Sequence, residues 1–453
     1  ATYRNQLGFV PEQYGPQPHP AEEPVVRSGP ELEPSSRAAK LARTDLVGHV
    51  LSMMSGAPQL VLLTGKAKAK ELQFEELSAA DQALMLDAMA AEWSKWTEHR
   101  STRTLSAQAL RDLRRQFPGL RIIDTRWVLV RKAPEKPGVL GRLKARLVVI
   151  GCQEPINSLR RDAPTGSMLA FNLVVFFGAQ PGWCLLGADA QCAYLQSEGI
   201  ERLLLLRMPA VRPPPDMLPN QIVVAAGSIY GTRDAPRAWY KHLRAKLLAK
   251  GFREILLENL LYVWGDFGHS FIILVAHVDD LLIALSADDQ QARECIDALA
   301  KELQLKMCRD SSFTFSVKFI EQLDDRIQVS QPKGLKDLEG VPLSRERLSD
   351  VGSPLADDEL SQYRGTVGQH MWLITQTRPD YAARTSQAAQ HSAAATVADA
   401  QTVNRLVQDV KGFGVIPLIF PRVIFNPSAV TLLGFGDAAF ANAANCRSQH
   451  GSV

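Results

Sequence analysis

The pattern of apolar and polar positions predicts short strands mixed irregularly with helices. Residues 125–132 and 144–151 are typical of two strands joined by a Pro/Gly turn, and residues 183–191 of a third strand. Helical spacing predicts helices over residues 169–179, over residues 288–304 and from near Pro236. This irregular order indicates an α+β fold rather than a doubly wound sheet.

The strongest helix signal covers residues 78–99. Ser78 and Asp81 have the spacing of a capping box, and apolar residues follow at helical intervals with two tryptophans nearby. By contrast, residues 1–45 contain seven prolines and little periodic hydrophobicity. We expect that segment to be part of a flexible, Pro-rich arm, because such a composition cannot bury a core.

The run FIILVAHVDDLLIAL, residues 271–285, predicts two buried strands that meet at a tight turn. It places two adjacent aspartates, Asp279 and Asp280, between apolar segments. A buried carboxylate is costly, and two side by side repel each other, so a cation is expected to compensate them. The alternative is an ordinary turn in which both side chains cap backbone amides and face water.

Asp189 also ends an apolar strand, in the segment GWCLLGADAQCAYL. Taken alone, it would most often be a helix N-cap or a turn residue. Together with Asp279 and Asp280 it indicates three carboxylates from neighbouring strands at one edge of a sheet. Such a cluster suits a pair of Mg²⁺ ions about 3.5–4 Å apart.

Composition places the chain among ordinary globular proteins. It has 453 residues, of which 46% are hydrophobic and 22% charged, enough for two or three domains. No apolar stretch has the length of a membrane span, and the chain opens with Ala1 and without a signal peptide. Six cysteines show neither CxxC pairs nor zinc spacing, which predicts reduced thiols in an intracellular protein, cytoplasmic or nuclear.

The net charge of +3 hides a strongly basic block between Arg100 and Arg161. This block has 15 Lys or Arg and four acids, a balance of +11, so the remainder carries −8. A phosphate-rich partner such as a nucleic acid would explain the excess. A solvated basic face is the alternative.

Several motifs occur in the order found in one family. HVDD (277–280) resembles the YVDD motif of reverse transcriptases, and IYGTRDAPRAWY (229–240) resembles the YGLKQAPRAWY motif of copia-type LTR retrotransposons. The resemblance extends over about residues 75–453 and includes TRPD in YRGTVGQHMWLITQTRPDYA. It implies a right-hand polymerase with fingers, palm and thumb that copies an RNA or DNA template with a primer into DNA.

The resemblance also implies roles for individual residues. Asp189, Asp279 and Asp280 correspond to the aspartates that hold Mg²⁺, with Mn²⁺ as the alternative ion. Lys144 and Arg146 match the residues that bind the incoming deoxynucleoside triphosphate, and an exposed strand edge is the alternative for this pair.

Two further positions concern the same nucleotide. Tyr194 matches an aromatic residue that lies under the sugar and excludes a 2′-hydroxyl, although a core tyrosine is the alternative. Asp234 stands where the family has glutamine before APRAW, which places an acid close to the nucleotide. His277 replaces the usual tyrosine of the metal-binding motif. Neither the acid at position 234 nor the histidine at position 277 removes a metal ligand.

The expected organisation has four parts: a flexible arm and linker (1–74), fingers and palm (75–290), thumb and connection (291–427), and a truncated ribonuclease H-like start (428–453). In the last part, Asp437 matches the first metal carboxylate of a ribonuclease H domain. No Asp or Glu occurs in the 16 residues that follow it, so no ribonuclease H activity is expected.

The sequence therefore predicts an RNA-directed DNA polymerase that acts by two-metal nucleotidyl transfer. Its expected context is a longer polyprotein with protease, integrase and ribonuclease H regions, without a membrane partner. The alternative is an inactive retroelement relic that keeps the fold and only binds nucleic acid.

Overall fold

The computed structural model describes residues 71–132, 141–154, 160–197, 200, 202–429, 431, 436–443 and 447–452. In these residues the α-helices are α1 (Ala79–Glu98), α2 (Ala107–Gln116), α3 (Met168–Gly178), α4 (Ala193–Gln196), α5 (Ala235–Ala249), α6 (Gln290–Glu302), α7 (Pro332–Asp337), α8 (Arg345–Ser349), α9 (Asp357–Gln376), α10 (Ala382–Gln390) and α11 (Val397–Phe413). Short 3-10 helices form at Phe74–Glu76, Gly151–Gln153, Pro379–Tyr381 and Pro427–Ala429.

The strands of the same residues are β1 (Thr102–Thr104), β2 (Ile122–Arg131), β3 (Leu143–Val149), β4 (Trp183–Ala190), β5 (Leu205–Arg207), β6 (Ile222–Ala225), β7 (Arg253–Glu254), β8 (Leu261–Gly265), β9 (Phe271–His277), β10 (Asp280–Ser286), β11 (Leu305–Cys308), β12 (Ser312–Phe315), β13 (Lys318–Gln322), β14 (Arg326–Ser330), β15 (Leu418–Pro421), β16 (Gly436–Ala443) and β17 (Arg447–Ser452). The strands and helices named from the sequence form within two residues of their expected ends, except β2, which begins at Ile122, three residues before its expected start. The α+β fold class is confirmed.

The first sheet, called the basic sheet below, has the strand order β1-β6-β5-β2-β3. All its pairs are antiparallel except β2 with β5. Glu71, which lies within the arm expected over residues 1–74, forms a bridge to Val130 of β2, and Phe74 is buried against the same sheet. The arm's residues 1–70 lie outside the described residues.

Helix α1 covers one side of the basic sheet. Its N-cap Ser78 accepts a hydrogen bond from the Asp81 backbone N–H at 3.2 Å, as the sequence predicts. The other half of the expected capping box is wrong, because the Asp81 carboxylate pairs with Arg131 of β2 at 2.8 Å. Trp93 and Trp96 are buried against the sheet. An ion pair to β2 thus holds the helix on the sheet, in addition to apolar packing.

The second sheet, called the aspartate sheet, has the order β11-β4-β10-β9-β8-β7 and is antiparallel throughout. Helices α5 and α6 pack on one face. Helix α3 and the four-stranded sheet β12-β13-β14-β15 pack on the other. Because both faces are covered, its central strands are continuous apolar runs rather than alternating ones. Each fully buried Leu or Ile there contributes about 1.5–3 kcal/mol to folding.

The last three α-helices of the described residues form apolar clusters of their own. Helices α9, α10 and α11 pack together around Tyr363, Leu373 and Val407. Strands β16 and β17 form a two-stranded pair in which Asp437 lies opposite Gly451. The five cysteines of the described residues, Cys152, Cys184, Cys192, Cys295 and Cys308, are free thiols. No helix in the described part of the chain is both long and apolar enough to cross a membrane.

Candidate active site

The two adjacent aspartates lie at the turn between β9 and β10, as the sequence predicts. His277 and Asp280 are paired across the hairpin, and Val278 and Asp279 form the turn between them. Val278 has a φ of 57°, a left-handed conformation that is strained for a β-branched residue. The indole Nε1 of Trp239, on α5, donates a hydrogen bond to the Val278 carbonyl at 2.5 Å. A contact from outside the hairpin therefore helps to hold this conformation.

Strand register brings Asp189 to the same place. Asp189 of β4 lies directly opposite Asp280 of β10, and the backbone N–H of Ala190 donates to the Asp279 carbonyl at 2.8 Å. Opposite residues in an antiparallel pair have Cβ atoms about 4.5–5.5 Å apart. The three aspartates named from the sequence thus meet at one edge of the aspartate sheet.

The charges of this group are not balanced by ion pairs within the described residues. Desolvation by the surrounding protein, and then the negative charge of Asp189, raise the pKa of Asp279. Desolvation and then Asp279 raise the pKa of Asp280 to about 7. The Ser316 backbone N–H donates to Asp280 Oδ2 at 3.2 Å and acts in the opposite direction. A bound cation would stabilise all three carboxylates in their charged form.

The donor set suits a hard divalent cation, since Mg²⁺ and Mn²⁺ prefer carboxylate oxygens. Asp189 and Asp279 are exposed residues at this edge, so an ion can reach them. However, no group of three or more His, Cys, Asp or Glu side chains in the described part of the chain is gathered into ligand geometry. The carboxylates are close in register, but their side chains do not converge on one point.

Lys144 and Arg146 alternate along β3 and face the same side of the basic sheet. The positive charges of Arg146 and Lys144 act to lower the pKa of Asp279, against the larger effects of desolvation and Asp189. The Arg146 guanidinium carbon is 4.3 Å from the centre of the Tyr230 ring, and its Nε is buried without a hydrogen-bond partner in the described residues. Burial, with repulsion from Arg146 and Lys132, lowers the pKa of Lys144 to about 8. A polyanion would satisfy both groups.

Tyr194 lies near Asp279 and Arg146. Its ring centre is 5.3 Å from that of Tyr230. Burial, and then the negative charge of Asp279, raise the pKa of Tyr194 to about 12. The ring is partly buried and borders the site, so the structure is compatible with a role beside the nucleotide sugar and with a packing role.

The Asp234 carboxylate forms an ion pair with Arg202. The Arg202 side chain donates through both terminal nitrogens to the Asp234 carboxylate, with Nη2 2.9 Å from Oδ1. Arg202 Nε also donates to Glu154 Oε1 at 2.6 Å. The acid that replaces the family's glutamine is therefore neutralised inside the protein, and both of its oxygens are occupied.

Three residues that shape the candidate site were not singled out from the sequence: Tyr230, Trp239 and Arg202. Tyr230 and Trp239 lie in the motif at residues 229–240, but their contacts with Arg146 and Val278 follow from tertiary packing. Arg202 lies in no motif. No pattern in the sequence pairs it with Asp234 or Glu154, which are 32 and 48 residues away.

Arg114 and Arg121 of the basic block, together with Arg207 of β5, line an open cavity of about 450 Å³ at the start of β2. Asp124, the one acid on its wall, pairs with Arg207 at 3.1 Å. Several other arginines of the block are paired with acids, among them Arg126 with Glu71 and Arg131 with Asp81. Part of the block's positive charge is thus neutralised within the protein, while Arg114 and Arg121 have no ion pair among the described residues.

The antiparallel aspartate sheet thus carries three aspartates at one edge, near two cations of the basic sheet. Residues 112–337 match the family described as reverse transcriptase (RNA-dependent DNA polymerase). This chain therefore contains a reverse transcriptase region of the copia type, and the resemblance seen in the motifs is confirmed.

Curated relatives agree with this family. The chain is 26% identical over 295 residues to the Retrovirus-related Pol polyprotein from transposon RE2 of Arabidopsis thaliana, covering 60% of the chain and 19% of that polyprotein. It is 25% identical over 312 residues to the polyprotein from transposon RE1 of the same plant, covering 64% and 20%. The polyprotein from transposon TNT 1-94 of Nicotiana tabacum is 24% identical over 286 residues, covering 58% and 21%. The chain spans about a fifth of the length of these relatives.

Proposed function

We propose that this region is an RNA-directed DNA polymerase that extends a primer along an RNA or DNA template. The observation that carries the proposal is the β4–β10 register, which places Asp189 opposite Asp280 and beside the Asp279 turn. Carboxylates without an ion pair among the described residues, with Lys144 and Arg146 near Asp279, suit a reaction between a polyanionic nucleotide and metal ions.

In this proposal Asp189, Asp279 and Asp280 would hold two Mg²⁺ ions, or Mn²⁺. When bound, the ions would activate the primer 3′-hydroxyl and stabilise the leaving pyrophosphate. Lys144 and Arg146 bind the triphosphate and place its α-phosphate next to the aspartates. Their charge lowers the cost of bringing an anionic substrate to a carboxylate edge.

Tyr194 restricts the space beside the nucleotide sugar in the same scheme. Asp234 does not contact the nucleotide directly, because Arg202 occupies its carboxylate. The aspartate sheet would form the palm, the basic sheet the fingers, and the helices from α7 onward the thumb and connection. The basic block would bind template and primer through their phosphates, without sequence preference.

The relatives are Pol polyproteins, so we propose that this region works as part of a longer polyprotein. Protease, integrase and ribonuclease H regions would then be supplied by the same precursor.

Primer extension on an oligo(dT)-primed RNA template tests the proposal. The expected result is Mg²⁺-dependent addition of deoxynucleotides that follows the template sequence. Retained binding of the primer–template without extension, in Mg²⁺ and in Mn²⁺, would instead identify an inactive relic that only binds nucleic acid.

A further inference from the structure

Residues 229–239, called the linking segment, connect the two halves of the candidate site. At one end Tyr230 packs against Arg146, and its carbonyl accepts a hydrogen bond from the Val149 N–H of β3 at 2.8 Å. At the other end Trp239 donates to the Val278 carbonyl in the aspartate turn. The distance between the nucleotide-binding cations and the aspartates therefore depends on how rigidly this segment is held.

The middle of the linking segment is held by one partly buried cation. Arg202 donates to Asp234 through both terminal nitrogens and to Glu154 through Nε. The exposed fraction of the side chain is 16% for Arg202, 16% for Asp234 and 3% for Glu154. Pairing three charged groups at this depth is favourable only in a precise geometry, because each has lost most of its water.

A second contact fixes the same point. Arg233 Nε donates to the Gly151 carbonyl at 2.9 Å, in the turn that follows β3. Gly231 also lies so close to the end of β3 that a Cβ at this position would be 2.1 Å from the Val149 carbonyl oxygen. The segment thus packs directly on the end of β3, the strand that carries Lys144 and Arg146.

We propose that Arg202 is a positioning residue for nucleotide addition: by binding Asp234 and Glu154 it fixes the linking segment, and with it Arg146 and the Val278–Asp279 turn. The inference rests on the proposed function, but its structural part can be tested without catalysis. It also accounts for the acid at position 234, which forms part of this clamp.

Hydrogen exchange followed by mass spectrometry tests the structural part in the full chain. R202Q should accelerate exchange by at least about tenfold in peptides that cover residues 229–239 and 276–281. The matched control is R347Q, which removes another bidentate pair, Arg347 with Glu359 at 3.0 and 2.8 Å, away from the site. R347Q should leave both peptides unchanged. Unchanged exchange at 276–281 in R202Q would overturn the proposal.

Kinetics test the consequence for nucleotide addition at a temperature where each variant is folded. R202Q should raise the KM for deoxynucleotides at least about tenfold and leave primer–template affinity unchanged. R202K, which keeps the charge but loses the bidentate geometry, should fall between R202Q and wild type. A lower Tm in R202Q with wild-type KM and kcat would show a merely structural role.

A triple variant covers the case in which R202Q fails to fold. R202Q/D234Q/E154Q removes both acids together with their shared partner and should recover stability, while the segment remains less protected from exchange than in wild type. Wild-type protection at 229–239 and 276–281 in this variant would overturn the proposal. Absence of primer extension by the wild type would contradict the proposed function alone, since the exchange result stands independently.

Discussion

At the scale of single residues, the aspartate turn combines three costs that ordinary turns avoid. Val278 adopts a left-handed backbone, two carboxylates are adjacent, and a third lies opposite them. A strained, β-branched residue at such a place costs about 1–3 kcal/mol and persists only when its surroundings hold it. Trp239 supplies one such contact. Strain and unbalanced charge at one point are typical of functional sites rather than of turns that only connect strands.

Repulsion among the three carboxylates predicts that D279N is more stable than wild type. Replacing the carboxylate with an amide of the same shape removes repulsion from Asp189 and Asp280. In a chelating buffer D279N should therefore unfold about 2 °C higher than wild type in differential scanning fluorimetry. D266N, which removes an acid whose side chain is 81% exposed, is the control and should change Tm little. A Tm for D279N below that of wild type would contradict the account.

The position of Tyr194 predicts how the site discriminates between sugars. Y194V should admit ribonucleotides, because the ring no longer fills the space beside the sugar, and should lower deoxynucleotide addition less. The measurement is the ratio of kcat/KM for the matched ribonucleotide and deoxynucleotide, which should shift toward ribonucleotides by about tenfold or more.

Tyr262 offers a matched control for that prediction, since it is a fully buried tyrosine of the aspartate sheet. Y262V should lower the Tm without changing the ratio. If Y194V behaves in the same way as Y262V, then Tyr194 is a core residue.

Residues differ in how far their roles could be predicted from sequence. Asp279 and Asp280 interrupt an apolar run, which is visible in one dimension, and Asp189 ends another such run. The Arg202–Asp234 contact has no such signal, because it joins segments that only the fold brings together. The capping box failed for a similar reason: Arg131, 50 residues from Asp81, competes for its carboxylate.

At the scale of elements, the strands and helices of the site follow from local pattern. The hairpin β9–β10 is apolar on both faces because helices and a second sheet cover it. Helix ends shifted by one or two residues from their expected positions, as is usual where capping decides the boundary. The order of strands in each sheet could not be derived from the pattern. The neighbours β4 and β10, for example, are separated by about 90 residues of chain.

Helix α9 carries a buried group that predicts a pH dependence of stability. His370 is 1% exposed, both of its ring nitrogens lack partners in the described residues, and burial, followed by the charge of Arg384, lowers its pKa to about 4 from 6.5. Between these two values the unfolded chain takes up a proton that the folded protein does not. The contribution of His370 to stability is therefore lost as the pH falls from about 6.5 to about 4.

H370M should remove this contribution. Its free energy of unfolding, from urea titrations across that pH range, should fall less steeply than that of wild type, by up to about 1.4 kcal/mol per pH unit. Parallel pH profiles for the two proteins would show that His370 becomes protonated in the folded state.

Helix α2 carries two arginines of the basic block whose replacement tests whether this block binds nucleic acid. Arg114 lines the cavity at the start of β2, and Arg115 is largely exposed with only a distant contact to Asp112 at 3.9 Å. R114A/R115A should weaken primer–template binding and reduce the slope of log K against log salt by about 1–2, in fluorescence anisotropy at several salt concentrations. R293A/K301A, on α6, makes the same change in charge and should leave the slope unchanged. Equal slopes for wild type and R114A/R115A would place the footprint elsewhere.

At the scale of the whole molecule, the family match and the geometry of the candidate site give complementary information. The family match covers residues 112–337, which include the basic sheet from β2 onward and the complete aspartate sheet. The structure adds what the match does not describe: the register of Asp189 with Asp280, and the linking segment between the cations and the turn. We propose that nucleotide addition depends on these carboxylates, which would hold the metal ions.

The most direct test is the rate of single-nucleotide incorporation by D189N, D279N and D280N under saturating Mg²⁺ and deoxynucleotide, measured by rapid quench on a preformed primer–template complex. Each variant should bind the primer–template as wild type does and incorporate at least about 10³-fold more slowly, whereas D266N should match wild type. Incorporation by any of the three at the wild-type rate would contradict the account, because that carboxylate would then be an ordinary turn or strand residue.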